Sequence, residues 1–327
     1  MNNKIIFSCQ ADFHGISLQE ILNVDSSIKF IKWIDAGVGL LEYNGLFAEF
    51  SALMKEKRLI FLRHIFPAEY IIPYSDIGEL KFLPLDKTKN FSVQIRAAKE
   101  YDSLEIKKNI SDYFKSEGFI EDKRYPEQII SIYIAKDSAY IGLSQAEENL
   151  SIWSGGMRLY ATREDTISRA EFKLMEAFEA YPIRFRKDSI ALDLGAAPGG
   201  WTKVLLEKGL KVVAVDSVQL SPVLLANENV EFYNGRAYEY LKESNKMFDL
   251  IVNDMSMNIK LSTGLMCSLK KRLRDKGYII MTFKLSRDDR LNKINEGLSL
   301  LGKEFEIVLV KQFYHNRSEI TVILQKL

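Results

Sequence analysis

Cysteine and histidine are scarce in this chain: Cys9 and Cys267 are its only thiols, and its three histidines lie far apart. Two cysteines cannot build a disulfide framework or a zinc site, so a reducing, cytoplasmic setting is expected. Scattered histidines suggest no metal cluster, and no metal is expected. No apolar run is long enough to span a membrane, and Met1 to Ile6 lacks the apolar core of a signal peptide. Repeats and low-complexity tracts are missing as well. Neither sign of charge dominates, since the formal net charge is +1. That balance hides an asymmetry. Residues 151–327 hold 27 Lys+Arg against 22 Asp+Glu, whereas residues 1–150 hold 18 against 22. The basic half suits an RNA-directed enzyme, although so mild a bias does not establish nucleic-acid binding by itself.

What is present is an ordinary globular composition, 47% hydrophobic and 27% charged, over 327 residues, enough for two or three domains. The chain is organised around Ser189 to Ser217, SIALDLGAAPGGWTKVLLEKGLKVVAVDS. The apolar run Ile190 to Leu194 ends in a glycine-rich turn, an amphipathic helix follows, and Lys211 to Val215 ends in Asp216. Continuous apolar runs flanking a helix read as buried parallel strands of a βαβ unit. Gly195, Gly199 and Gly200 allow a tight turn and close approach to a ligand. Asp216, at the end of the second strand, is placed to accept hydrogen bonds from ribose hydroxyls. The turn lacks the second glycine of G-x-G-x-x-G and places Pro198 inside the loop, which argues against a dinucleotide site. No Gly-Lys-Ser/Thr follows, which excludes a phosphate-binding P-loop.

Before this unit, the order of apolar runs reads βαββαβ. Lys4 to Cys9 is a strand, Ser17 to Leu22 a helix, and Phe30 to Leu41 a strand pair broken at Gly-Val-Gly. Phe47 to Lys57 follows as a helix and Leu59 to Phe66 as a strand. This is the pattern of a ferredoxin-like domain, expected over 1–80. Pro67, Pro73 and Pro84 punctuate the connection to a second module over 81–150. There, Phe91 to Arg96 alternates as a strand, Ser103 to Glu117 has helical periodicity, and Ile129 to Ala135 with Ser138 to Gly142 reads as a hairpin.

After it, Ile167 to Tyr181 is expected as an amphipathic helix with Ser168 as N-cap, and it carries Lys173. Phe248 to Asp254 and Gly277 to Phe283 read as further buried strands, the first ending at Asp254 and the second followed by Lys284. Glu319 enters the last strand, within Phe313 to Leu324. Open α/β sheets bind ligands at such strand ends.

The segment DLGAAPGGW resembles motif I of S-adenosylmethionine (SAM) methyltransferases, and within them the FtsJ-type ribose 2'-O-methyltransferases. Lys173, Asp254, Lys284 and Glu319 match, in order and context, the Lys-Asp-Lys-Glu tetrad of that family. SRAEFKLMEAF, VNDM, FKL and YHNRSEITV are similar to segments of those members that methylate a cytidine ribose in 23S ribosomal RNA. The resemblance implies a Rossmann-like methyltransferase domain over 151–327. It also implies SAM as cofactor and a cofactor site of Asp193, Gly195, Ala196, Pro198, Gly199, Gly200, Trp201, Asp216, Asn234 and Asp254. Asn234 stands where the family has an acidic residue facing the adenine amine; its amide oxygen still accepts a hydrogen bond. Trp201 reads more readily as a packing residue under the loop than as a stacking platform. In the second module, FSVQIRAAKEYDS, EIKKNISDYFKSEGF and YPEQIISIYI followed by YIGLS resemble a THUMP domain, which implies RNA binding.

The implied reaction is 2'-O-methylation of RNA. Lys284 is the candidate proton acceptor, Asp254 its orienting neighbour, and Lys173 and Glu319 the residues that place the ribose. Arg158, Arg163 and Arg169 are candidate RNA contacts, and Lys270 to Arg274 reads at least as well as a solvated helix end. Base methylation is the competing chemistry. Amino-group methyltransferases carry Asn/Asp-Pro-Pro-Tyr/Phe where this chain has Asn253-Asp254-Met255-Ser256. A ribosome-assembly factor that binds SAM without turnover is the competing non-enzyme reading.

Overall fold

A computed structural model of the chain describes residues 2–98, 100–286 and 289–327. Met1, Lys99, Arg287 and Asp288 lie outside the described residues, which removes Met1 from the Met1 to Ile6 window and Lys99 from the FSVQIRAAKEYDS segment. Two compact units divide the chain, residues 1–158 and residues 159–327. No helix among the described residues is long and apolar enough to cross a membrane.

The first unit contains two four-stranded sheets. One is built from β1 (Asn2–Ser8), α1 (His14–Leu22), β2 (Lys29–Asp35), β3 (Val38–Asn44), α2 (Phe47–Lys57) and β4 (His64–Pro67). Its strand order, β2-β3-β1-β4, is the ferredoxin-like arrangement expected from the pattern of the runs. The strand expected over Leu59 to Phe66 begins only at His64. The amides of Ile60 and Phe61 donate to the Glu20 carboxylate, so that stretch satisfies its backbone without a ladder.

The second sheet comprises β5 (Tyr70–Pro73), β6 (Phe91–Ala97), α3 (Ser103–Ser116), β7 (Gln128–Ala135) and β8 (Ser138–Gln145), in the order β5-β8-β7-β6. β6 and β7 are parallel because α3 crosses between them. Asp102 caps α3, accepting from the amides of Leu104 and Glu105. Ile106, Ile110 and Phe114 then repeat at helical spacing and are buried against Phe91, Val93 and Ile132.

The second unit is one seven-stranded sheet. Its elements are α4 (Glu171–Ala180), β9 (Ile190–Leu194), α5 (Gly200–Glu207), β10 (Lys211–Asp216), α6 (Pro222–Leu225), β11 (Val230–Asn234), α7 (Ala237–Glu243), β12 (Phe248–Asn253), α8 (Ile259–Leu269), β13 (Leu273–Lys284), α9 (Arg290–Leu301), β14 (Glu306–Lys311) and β15 (Glu319–Gln325). The order is β11-β10-β9-β12-β13-β15-β14, parallel except that β15 runs antiparallel to β13 and β14. Strand order reverses at β9, with β10 on one side and β12 on the other. The crevice at the carboxyl ends of β9 and β12 is therefore the topological switch point, where a doubly wound sheet holds its ligand. The α/β fold expected for this half is the one observed. Ala191, Leu192 and Leu194 of β9, Val212 to Val215 of β10 and Leu250 to Val252 of β12 are all buried, as continuous apolar runs require.

One boundary differs from expectation. α4 begins at Glu171 rather than beside Ser168, and Ser168 is not its N-cap. The Glu171 carboxylate folds back to accept from the amides of Ile167 and Ser168, at 2.6 and 3.1 Å. The Ser-x-x-Glu spacing is present, but the carboxylate performs the capping and the serine hydroxyl stays out of it.

Candidate active site

The glycine-rich turn closes around three positions without side chains. Gly195 has a φ of +75°, and a Cβ there would come within 2.5 Å of Met255 Cγ. Gly199 has a φ of +114°, and its Cβ would run into Leu224. A Cβ on Gly200, the first residue of α5, would strike the Ser168 hydroxyl. The turn is tied to β10 by Gly195 N–H donating to Val215 O at 3.0 Å. Asp216 closes it from above. One of its carboxylate oxygens accepts from Ala197 N–H at 3.0 Å and the other from Val218 N–H at 2.9 Å. Asp216 therefore shapes the loop as well as presenting the acceptors that a ribose needs. Asn234 stands one strand over, exposed at the end of β11 and paired in register with Asp216.

Beneath the turn, Asp193 is fully buried and accepts from Thr202 Oγ1 at 2.7 Å. Burial, reinforced by the charges of Asp254 and Asp216, pushes its carboxyl up to about 7. Trp201 is 4% exposed, and its indole N–H donates to Ala170 O at 2.8 Å. Its ring is part of the core with Leu174, Phe178 and Leu205. The side chain is committed to packing, leaving only its backbone at the helix start for a ligand.

Four charged side chains converge at the neighbouring strand ends. Asp254 follows β12 directly, Lys284 ends β13, Glu319 begins β15 and Lys173 projects from α4. Lys173 Nζ lies 3.0 Å from Asp254 Oδ2 and 2.6 Å from Glu319 Oε1. Lys284 Nζ lies 2.5 Å from Asp254 Oδ1 and 2.5 Å from Glu319 Oε2. Each lysine bridges both carboxylates, and each carboxylate bridges both lysines. The result is a closed ring of alternating charge. Burial disfavours the Lys173 ammonium, but Asp254 and Glu319 outweigh it and hold its pKa above the ordinary lysine value. Burial would likewise raise the Asp254 carboxyl, yet Lys284 and Lys173 outweigh it and hold it below the usual carboxylate range.

Three supporting residues were not legible in the sequence. Thr282, two residues before Lys284, donates its hydroxyl to Asp254 Oδ1 at 2.7 Å. Glu176, one turn after Lys173 on α4, accepts from the amides of Tyr314 and His315, both at 3.0 Å. The helix that carries Lys173 thus also grips the loop that delivers Glu319. Ser168 Oγ is buried beside Gly200 without a hydrogen-bond partner. Ser168 was signalled only as a helix cap and Glu176 only as one residue of the amphipathic helix, and a threonine inside a buried strand carries no signal at all. Among the candidate RNA contacts, Arg163 and Arg169 are exposed, whereas Arg158 lies over the Trp153 ring at 4.1 Å. Lys270 pairs with Glu304 at 3.0 Å.

The sequence model of the FtsJ-like methyltransferases matches residues 166–311. This segment resembles an FtsJ-like methyltransferase domain. It holds the glycine turn, Asp216, Lys173, Asp254 and Lys284, while Glu319 lies just beyond the matched span. The chain is 31% identical over 250 residues to the ribosomal RNA large subunit methyltransferase M of Psychromonas ingrahamii, spanning 72% of this chain and 63% of that one. The same-named protein of Pseudoalteromonas translucida is 29% identical over 205 residues, covering 59% of this chain and 56% of its own length. An uncharacterized protein of Methanocaldococcus jannaschii is 33% identical over 171 residues, covering 50% of this chain and 48% of that one. The chain thus spans about half to two thirds of the length of these relatives.

FtsJ-like methyltransferases use SAM, and the FtsJ-like domain here fits that group on two observations. The Asp216 carboxylate stands at the carboxyl end of β10 beside the turn, and Ser168 presents a buried hydroxyl with no protein partner next to Gly200. Asp216→Ala is expected to weaken SAM binding by about 1–3 kcal/mol through lost hydrogen bonds to the ribose and to the loop. Titration calorimetry of the variant checks this, and unchanged affinity would place the cofactor elsewhere.

Proposed function

We propose that this protein transfers a methyl group from SAM to a ribose 2'-oxygen of RNA, with a cytidine of 23S ribosomal RNA as the leading target and the cytoplasm as its setting. The observation that carries this reading is the closed ring of Lys173, Asp254, Lys284 and Glu319 beside the glycine turn. The names of the two bacterial relatives point to large-subunit ribosomal RNA.

SAM supplies an electrophilic methyl on a sulfonium. The residues of this chain must bring a poor nucleophile, a ribose hydroxyl, into line with that methyl and take its proton. Lys173 keeps its proton, because two carboxylates outweigh its burial. Lys284, which ends β13 at the same two carboxylates, is assigned in this reading as the amine that, once it has lost its own proton to solvent, receives the hydroxyl proton at Nζ. Asp254, ionised and held between both lysines, fixes their directions. Lys173 and Glu319 place the ribose. General-base assistance is worth roughly 10²–10⁴-fold, and alignment contributes more. The second sheet of the first unit acts in this reading as a THUMP-like RNA-binding module, with Arg163 and Arg169 as phosphate contacts in the catalytic unit.

Mapping 2'-O-methyl positions across RNA from cells with and without this protein should show one ribosomal position that loses its methyl. An unaltered map would refute the reading. The compact unit 159–327 alone should retain SAM affinity and lose most activity on that RNA. Full activity of the fragment would remove the first unit from substrate recognition.

A further inference from the structure

Asp254 Oδ1 accepts two donors of different kinds, the Lys284 ammonium at 2.5 Å and the Thr282 hydroxyl at 2.7 Å. Thr282 is 2% exposed and belongs to β13, whose ladder with β15 pairs it directly with Thr321. Its hydroxyl is neutral, short and fixed by a strand, so it cannot leave. The Lys284 amine sits on a flexible stem and, in the proposed reaction, gives up its proton to solvent, takes the ribose hydroxyl proton as a neutral amine and so remakes its contacts.

From this geometry we infer that Thr282 is the positioning residue of the catalytic ring: it holds the Asp254 carboxylate in direction while the contact to Lys284 is remade. The inference rests on the proposed methyl transfer only for its kinetic consequence. The orientation and ionisation of Asp254 belong to the protein whatever it acts on.

The electrostatic surroundings make the hydroxyl's effect readable. Asp254 faces Lys173 from α4, Lys284 from β13 and the carboxyl of Asp193 from β9, while Glu319 of β15 shares both lysines. Burial acts to raise the Asp254 carboxyl, and Lys284, Lys173 and after them Thr282 together hold it below the usual range. A hydroxyl that donates to a carboxylate stabilises the ionised form. Removing it moves the titration of Asp254 upward, toward neutral pH. Valine has nearly the shape of threonine and removes the donor, so Asp254 Oδ1 loses one of its two partners. Serine restores the donor and loses one methyl.

The test compares Thr282→Val with Thr282→Ser in the full chain. Single-turnover methyl transfer to ribosomal RNA should fall by about tenfold to a hundredfold in the valine variant, the weight of a hydrogen bond to a charged group. Its acidic limb should move to higher pH, and serine should bring back most of the rate and the original limb. In parallel, carboxyl-carbon NMR of protein labelled at aspartate, with the Asp254 signal identified by its loss in Asp254→Asn, should show the Asp254 midpoint raised in the valine variant alone. A valine variant with the rate and pH profile of the unaltered protein overturns the inference. So does a slow variant whose Asp254 midpoint has not moved, since that marks a merely structural defect. If the unaltered protein leaves RNA unmethylated, the functional reading fails, and the NMR midpoint still decides the role of Thr282. Should the valine variant misfold, Thr282→Ala removes the same donor and is judged by the same two readouts.

Discussion

Lys284→Ala is expected to lower the single-turnover rate of methyl transfer by about 10²-fold or more while SAM affinity stays nearly unchanged. The lysine contacts Asp254 and Glu319, whereas the proposed cofactor site is the Gly195 to Gly200 turn and Asp216. Alanine removes one cation from the ring, but Asp254 still holds Lys173 and Thr282, so its place is kept. The informative comparison is Lys284→Arg. Guanidinium can reform ion pairs to both carboxylates, yet it stays protonated at any accessible pH and cannot take a proton. It should fail nearly as badly as alanine. An arginine variant with near-normal single-turnover rates would make Lys284 a positional cation and leave alignment of the ribose as the main catalytic device.

Trp201→Ala should cost the catalytic unit about 3–5 kcal/mol of stability, the usual range for truncating a large buried aromatic side chain. The ring is packed beside Leu174, Phe178 and Leu205, and its N–H holds the Ala170 carbonyl just before α4. Removing it opens a cavity between the two helices that carry Lys173 and the glycine turn. Chemical denaturation of the 159–327 unit, followed by circular dichroism, measures the loss. Trp201→Phe should recover most of it, since the bulk returns and only one hydrogen bond is missing. SAM affinity in the phenylalanine variant should be close to that of the unaltered protein. A large drop in affinity, with stability preserved, would return the indole to the cofactor.

The βαβ core was readable because its signals are local. Ile190 to Leu194 and Lys211 to Val215 are continuous apolar runs, and the glycines between them have one job each. The same holds for α2, whose observed span, Phe47–Lys57, is the expected one. What escaped is decided at long range. Ser168 fits the N-cap rule, yet Glu171 caps the turn and the serine faces Gly200. Leu59 to Leu62 has the composition of a strand, but Glu20, far away in sequence, takes two of its amides. The four charged residues could be picked out as a set by resemblance. That they close into a ring, with each lysine shared, depends on how α4 and the Tyr314-His315 loop dock, which no local pattern encodes. Thr282 and Glu176 belong to that same docking.

The antiparallel pairing of β13 with β15 places Lys284 directly opposite Glu319. A ladder permits only whole-residue steps, and a slip of one residue turns every side chain of a strand to the other face. Ile320, Val322 and Leu324 would then exchange surroundings with Thr321 and Ile323, and Glu319 would lose both lysines in the same movement. The sheet thus acts as a ruler for the ring, and the ring as a lock on the ruler. Insertions of a single residue within β15 are barred twice over, once by the core and once by the chemistry.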